Sequence, residues 1–153
     1  MANLAQVVNV LQALILTQGD KMLLTPTFHV FDLYKEHMDA RLLVVKFNSP
    51  NYIYGQEKIP AINMSASMDS TGAVHISLVN LDPVKSCMVR SSLQGLPSKS
   101  IQGRILSSEK YNDINTFEQP DKVHIVPFNG AKKEGGELIV TLPAKSVVML
   151  ELK

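Results

Sequence analysis

The sequence predicts a mainly β fold: an antiparallel sandwich, jelly-roll-like or immunoglobulin-like, over residues 39–153, preceded at 1–38 by a short apolar element and one helix. Three observations carry this. About eight short β-prone runs follow residue 41, with Gly, Pro, Asn and Asp at their junctions. Only one segment keeps a helical period with cap signals at its start. The first 38 residues also carry more apolar surface than one strand and one helix can bury between themselves, so they need another layer. The chain is therefore expected to begin part-way through something larger.

In order, residues 2–16 alternate apolar blocks with Asn3, Gln6, Asn9 and Gln12. Buried amides left unpaired cost about 1–3 kcal/mol each, so such a run is either a satisfied core network or the lining of a polar pocket. The pattern favours the core network. Thr17–Lys21, with Gly19-Asp20, reads as a turn. Thr25-Pro26 then starts a helix, Thr capping the free amides and Pro fitting the first helical position. Phe28, Phe31, Tyr34 and Met38 recur every three or four residues and predict a helix over 26–38 with that stripe inward.

After residue 41 the period changes. Leu42–Phe47 reads as a strand, and 61–68 with 73–81, flanking Asp69-Ser70-Thr71-Gly72, make the strongest hairpin. In its second strand Val74, Ile76 and Leu78 point one way, His75 and Ser77 the other. Further strands are expected near 85–93, 100–106, 122–126, 137–142 and 146–152.

Composition excludes several functions. With 15 basic and 14 acidic residues spread without long runs, no footprint for nucleic acid or an anionic membrane is present. The longest apolar run, Leu11–Leu16, is too short to span a bilayer and lacks the flanks of a signal peptide. The compartment stays open. The single Cys87 excludes an intrachain disulfide and reads as a strand thiol. Phosphate loops, nucleophile-elbow serines and zinc spacings do not occur. His29, Asp32 and Glu36 share one helix face, where a metal site or an acid/base pair is conceivable. That face lies opposite the apolar stripe, so a solvated face is the favoured reading. His75 and His124 read as surface or edge residues.

The stretch from Ala2 to Thr17, with Leu24–Tyr34, closely resembles the end of the catalytic barrel in α-L-arabinofuranosidases of glycoside hydrolase family 51. Ser77–Pro83, Gly103–Leu106, Asn115–Glu118 and the closing Leu142-Pro143 and Ser146–Leu152 resemble their carboxy-terminal sandwich. Phe28 stands where that family usually has Tyr. The resemblance implies that 1–38 holds the last strand (1 to about 6) and last helix of a truncated (β/α)8 barrel. Barrel active sites lie at the carboxyl ends of the strands, so Gln6 is implied to be substrate-binding, at the mouth. It further implies hydrolysis of arabinose-containing oligosaccharides with retention, without metal or cofactor. The acid/base and nucleophile Glu residues are implied to precede Met1, and no Asn-Glu dipeptide occurs here. A retaining glycosidase needs two carboxyl groups about 5–5.5 Å apart, and an outer helix faces away from the mouth, so Asp32 and Glu36 cannot replace them. No catalytic residue is assigned, and the isolated chain is expected to be inactive and to self-associate. The alternative is a non-catalytic carbohydrate-binding or interaction sandwich, with Tyr52, Tyr54 and Tyr111 as aromatic candidates.

Overall fold

The computed structural model describes residues 4, 6–93 and 100–153. A hairpin of β1 (Ile15–Gln18) and β2 (Lys21–Leu24) comes first, then α1 (Pro26–Tyr34), which tightens into a 3-10 turn at Lys35–His37. The turn read at 17–21 is thus tighter than expected. Only Gly19-Asp20 lie outside the ladder, because Gln18 already pairs with Lys21.

There follow β3 (Arg41–Leu43), β4 (Asn51–Tyr54), β5 (Glu57–Pro60), β6 (Ile62–Met68), β7 (Val74–Asn80), β8 (Cys87–Ser92), β9 (Ile101–Ser107), β10 (Ile125–Pro127), β11 (Ala131–Glu134), β12 (Glu137–Leu142) and β13 (Ser146–Leu152). One antiparallel sheet runs β10-β9-β13-β7-β6-β3 and a second β11-β12-β8, while β4 and β5 form a separate hairpin. Leu78, Val148 and Leu150 of the large sheet meet Leu138, Val140 and Leu142 of the small one in a single core, with Phe128 closing it. This is the expected sandwich.

The other face of the large sheet is covered by α1. Leu33, fully buried, packs on Leu106, Val123 and Met149, with Val30 and Tyr34 beside it. The expected stripe of Phe28, Phe31, Tyr34 and Met38 is therefore only partly the buried one, since Phe31 and Met38 are exposed. The helix carries two apolar rows, and the sheet selects the row with the aliphatic Val30 and Leu33. Being covered on both faces, β7 is buried from Val74 through Leu78. His75, expected at a surface or edge, is 4 % exposed on a central strand. The strand expected over 42–47 stops at Leu43, where the chain leaves β6 and runs out to the β4–β5 hairpin, with Val44 and Phe47 exposed.

Candidate functional site

Gln6 is exposed and lies outside any strand; most of the strand expected at 1–6 falls outside the described residues. Immediately after it the chain closes into a loop, because the Val7 carbonyl accepts from the N–H groups of both Leu14 (3.0 Å) and Ile15 (3.1 Å). Asn9, in the left-handed region at φ 52°, grips the far side: its Nδ2 donates to Thr17 Oγ1 and its Oδ1 accepts from Thr17 N, each at 2.7 Å. Gln12 is left-handed too, at φ 60°, a conformation uncommon for a side chain of this kind. Of the four amides, Gln6, Asn9 and Gln12 stand in water, so the core-network reading fails for them; Asn3 lies outside the described residues. Thr25 ties this loop to the helix, donating its hydroxyl to Ala13 O at 2.7 Å while accepting from Phe28 N at 3.4 Å.

The helix carboxylates are not free in solvent. Glu36 accepts from Arg104 Nη2 at 2.8 Å, and Asp32 lies 3.8 Å from Arg104 Nη1 and 2.6 Å from Lys35 Nζ. The face expected to be solvated thus leans on β9, because Arg104 of that strand reaches both Asp32 of the helix and Glu36 of the turn after it. A general acid for glycoside cleavage needs a raised pKa. Among the described carboxyl groups with a resolved shift, every one is lowered. Asp69 shows how: the Thr71 hydroxyl, then His75, then backbone N–H groups hold its carboxylate well below the usual range. His29 is lowered by burial first, against the raising field of Asp32, and stacks edge-on against Phe28. His124 is exposed. Among the described residues no three His, Cys, Asp or Glu side chains gather in a way that could hold a metal ion.

A cleft of about 900 Å³ opens between the sheets beside β8, walled by Leu43, Val45 and Phe47 on one side and Cys87, Val89 and Leu93 on the other. Burial pushes the Cys87 thiol up, away from nucleophile chemistry. No helix among the described residues is long and apolar enough to cross a membrane.

Sequence reasoning missed three polar groups. Arg104 sits inside an otherwise ordinary strand. His37 Nδ1 lies 2.7 Å from Ser67 Oγ, a contact across 30 residues that no local pattern announces. Asn115, 5 % exposed, donates to Leu24 O (2.8 Å) and Val123 O (2.9 Å) and accepts from Val123 N (2.7 Å), joining the loop before β10 to the start of the helix. An Asn within an irregular stretch that ends in an apolar residue is the only hint of it.

The family model described as the alpha-L-arabinofuranosidase C-terminal domain matches residues 1–146. An intracellular exo-alpha-L-arabinofuranosidase of Bacteroides ovatus is 40% identical over 154 residues, covering 100% of this chain and 30% of that protein. The GH51 arabinofuranosidase of Xanthomonas axonopodis pv. citri superposes with a TM-score of 0.96 at 47% identity, over 100% of this chain and 31% of that one. The thermostable GH51 alpha-L-arabinofuranosidase of Thermotoga petrophila RKU-1 gives 0.85 at 25% identity, over 100% of this chain and 34% of that one. The chain thus spans about a third of the length of each.

Proposed function

The chain belongs to the carboxy-terminal domain family of the α-L-arabinofuranosidases of glycoside hydrolase family 51, and from that premise we propose that it is the sandwich end of an enzyme removing terminal non-reducing α-L-arabinofuranosyl residues from arabinan or arabinoxylan oligosaccharides with retention. The observation that carries this reading is that the family match runs through the exposed Gln6 loop and the helix as well as the sandwich. In that reading residues 1–38 complete a (β/α)8 barrel and 39–153 pack behind it, and Gln6 helps bind the arabinofuranosyl unit while both reacting carboxyl groups come from the barrel. Physical support comes from Val7, Val8, Leu11 and Met22, large apolar side chains left in water on the segment that has no second layer of its own. The same exposure favours self-association of the isolated chain. Static light scattering that reads a monomer at high concentration would count against it.

The test is a chimera in which this chain replaces the corresponding part of the Xanthomonas enzyme, assayed on an aryl α-L-arabinofuranoside. Turnover is expected, and Gln6→Ala should lower kcat/KM by an amount equal to one or two lost hydrogen bonds, about 0.5–1.5 kcal/mol each. An unchanged kcat/KM in Gln6→Ala removes Gln6 from the pocket; a folded but inactive chimera removes the family reading of function.

One observation favours a second reading. Tyr52 and Tyr54 alternate on β4, so they share a face of an exposed hairpin, and Tyr54 is 77 % exposed, as an aromatic sugar platform would be. Calorimetric binding of arabinan that vanishes in Tyr52→Ala and Tyr54→Ala would establish it; no heat from the unmodified chain would end it.

A further inference from the structure

We propose that the turn carrying Glu36 and His37 is an acid-released latch that holds the amino-terminal helix on the sandwich. Register sets Ser67, His75, Glu151 and Gln102 side by side across β6, β7, β13 and β9. Alternation turns this row toward the helix, since Val74, Ile76 and Leu78 occupy the opposite face in the sandwich core. Ser67 and His75 are direct cross-strand neighbours, with Cβ atoms about 5 Å apart.

His37 reaches down onto this row, its Nδ1 2.7 Å from Ser67 Oγ, while His75 Nε2 lies 2.9 Å from Asp69 Oδ2. Through Ser67, the cross-strand neighbour of His75, the two imidazoles come near enough between the helix layer and the sheet for His37 to feel the field of His75. The remaining nitrogens, His37 Nε2 and His75 Nδ1, are buried and without a hydrogen-bond partner. A proton added at His37 thus creates a charge that gains no new acceptor and faces a second imidazole. Desolvation costs such a charge most.

The surrounding charges do not rescue it. On the turn itself are Lys35 and Glu36, and Glu36 is already paired with Arg104 of β9. Asp69, at the β6–β7 turn, is engaged by His75 and by Thr71. Glu151 of β13 is paired with Lys153, whose cation also feels Asp69 and Glu36. From the helix come Asp32, held by Lys35 and Arg104, and the ring of Tyr34, centred 5.7 Å from the His37 ring. Accordingly His37 lies below the ordinary 6.5, by burial first and then by the His75 field, with Glu36 opposing.

The sign follows. A histidine whose pKa is depressed when docked is protonated more readily once the turn lifts off. The latch is thus fully closed well above pH 6.5 and weakens as pH falls from 6.5 through the docked value. Only the helix segment, not the sandwich core, is released, as local opening rather than global unfolding.

Two measurements on the whole chain test this. Nuclear magnetic resonance titration of the imidazole C–H protons should place His37 below 6.5. Amide exchange of Val30 and Leu33, taken as a ratio to Leu150 of β13 at each pH, should rise on acidification. The docking constant should fall up to tenfold for each unit of the measured depression. In His37→Gln, which keeps a polar partner for Ser67 but does not titrate, the ratio should stay flat with pH, and His75→Gln should raise the His37 titration point. His37 titrating at or above 6.5, or the same pH-dependent exchange in His37→Gln, overturns the proposal. If His37→Gln does not fold, the His37 titration in the unmodified chain decides alone.

Discussion

Replacing Leu33 by Ala is the sharpest test of how the helix docks. Leu33 is fully buried against Leu106, Val123 and Met149, so its truncation loses the transfer free energy of the missing carbons and leaves a cavity under a helix pinned at both ends, by Thr25 and by Arg104. Leu→Ala at comparably buried sites costs about 2.7–5 kcal/mol; about 3 kcal/mol is expected here because the short helix can settle partly into the space. Met38 belongs to the apolar row that the sequence favours, yet it is 73 % exposed, and Met38→Ala should change stability by less than about 0.5 kcal/mol. The chain has no Trp, so urea unfolding is followed by far-ultraviolet circular dichroism. With an m-value of about 2 kcal/mol/M, Leu33→Ala should lower the midpoint by about 1.5 M at unchanged slope, and Met38→Ala by less than about 0.3 M. Equal shifts in the two variants, or the larger one in Met38→Ala, would refute this account of the buried row.

Asn115→Ala strips Leu24 O, Val123 O and Val123 N of their partner at a buried position, and at about 1–3 kcal/mol for each orphaned group it should cost about 3 kcal/mol or more in the same urea assay. Acid should destabilise the chain through its hydrogen-bonded carboxylates. Asp69 is held below its ordinary 3.8 by Thr71 and His75, so its contribution is complete above pH 3.8 and is lost as pH falls through the folded value. Asp69→Asn keeps the turn's acceptor but cannot titrate, and its urea midpoint should fall less steeply below pH 3.8 than that of the unmodified chain. Parallel slopes would contradict this.

Much of the sandwich is legible in the sequence because period and punctuation agree there. β12 and β13 match the expected 137–142 and 146–152, and the Asp69–Gly72 turn joins β6 to β7 as its composition announces. What was not legible has physical reasons. The charged strand Ala131–Glu134 lacks β propensity and exists because Gly135 and Gly136, at φ 59° and 83°, form the two-residue turn that returns it to β12 as an edge. The buried helix row cannot be chosen from hydrophobicity when two apolar rows compete; the sheet beneath chooses it. His75 looks like the outer face of a two-layer sandwich, but a third layer, α1, covers that face. At the candidate site, the proposal of Gln6 rests on family resemblance alone, since an exposed amide in an irregular segment carries no chemical signature of its own. The ties of Arg104, His37 and Asn115 span 68, 30 and 91 residues, beyond any local pattern.

The most direct check on the proposed role is the hydrolysis of an aryl α-L-arabinofuranoside by the purified, folded chain. Release at the uncatalysed rate is expected, because its helix carboxylates Asp32 and Glu36 are paired with Lys35 and Arg104, and every described carboxyl group with a resolved shift is lowered, away from a general acid. Turnover proportional to protein concentration, and abolished by Asp32→Asn or Glu36→Gln, would contradict the claim that the reacting acids are supplied from outside these 153 residues.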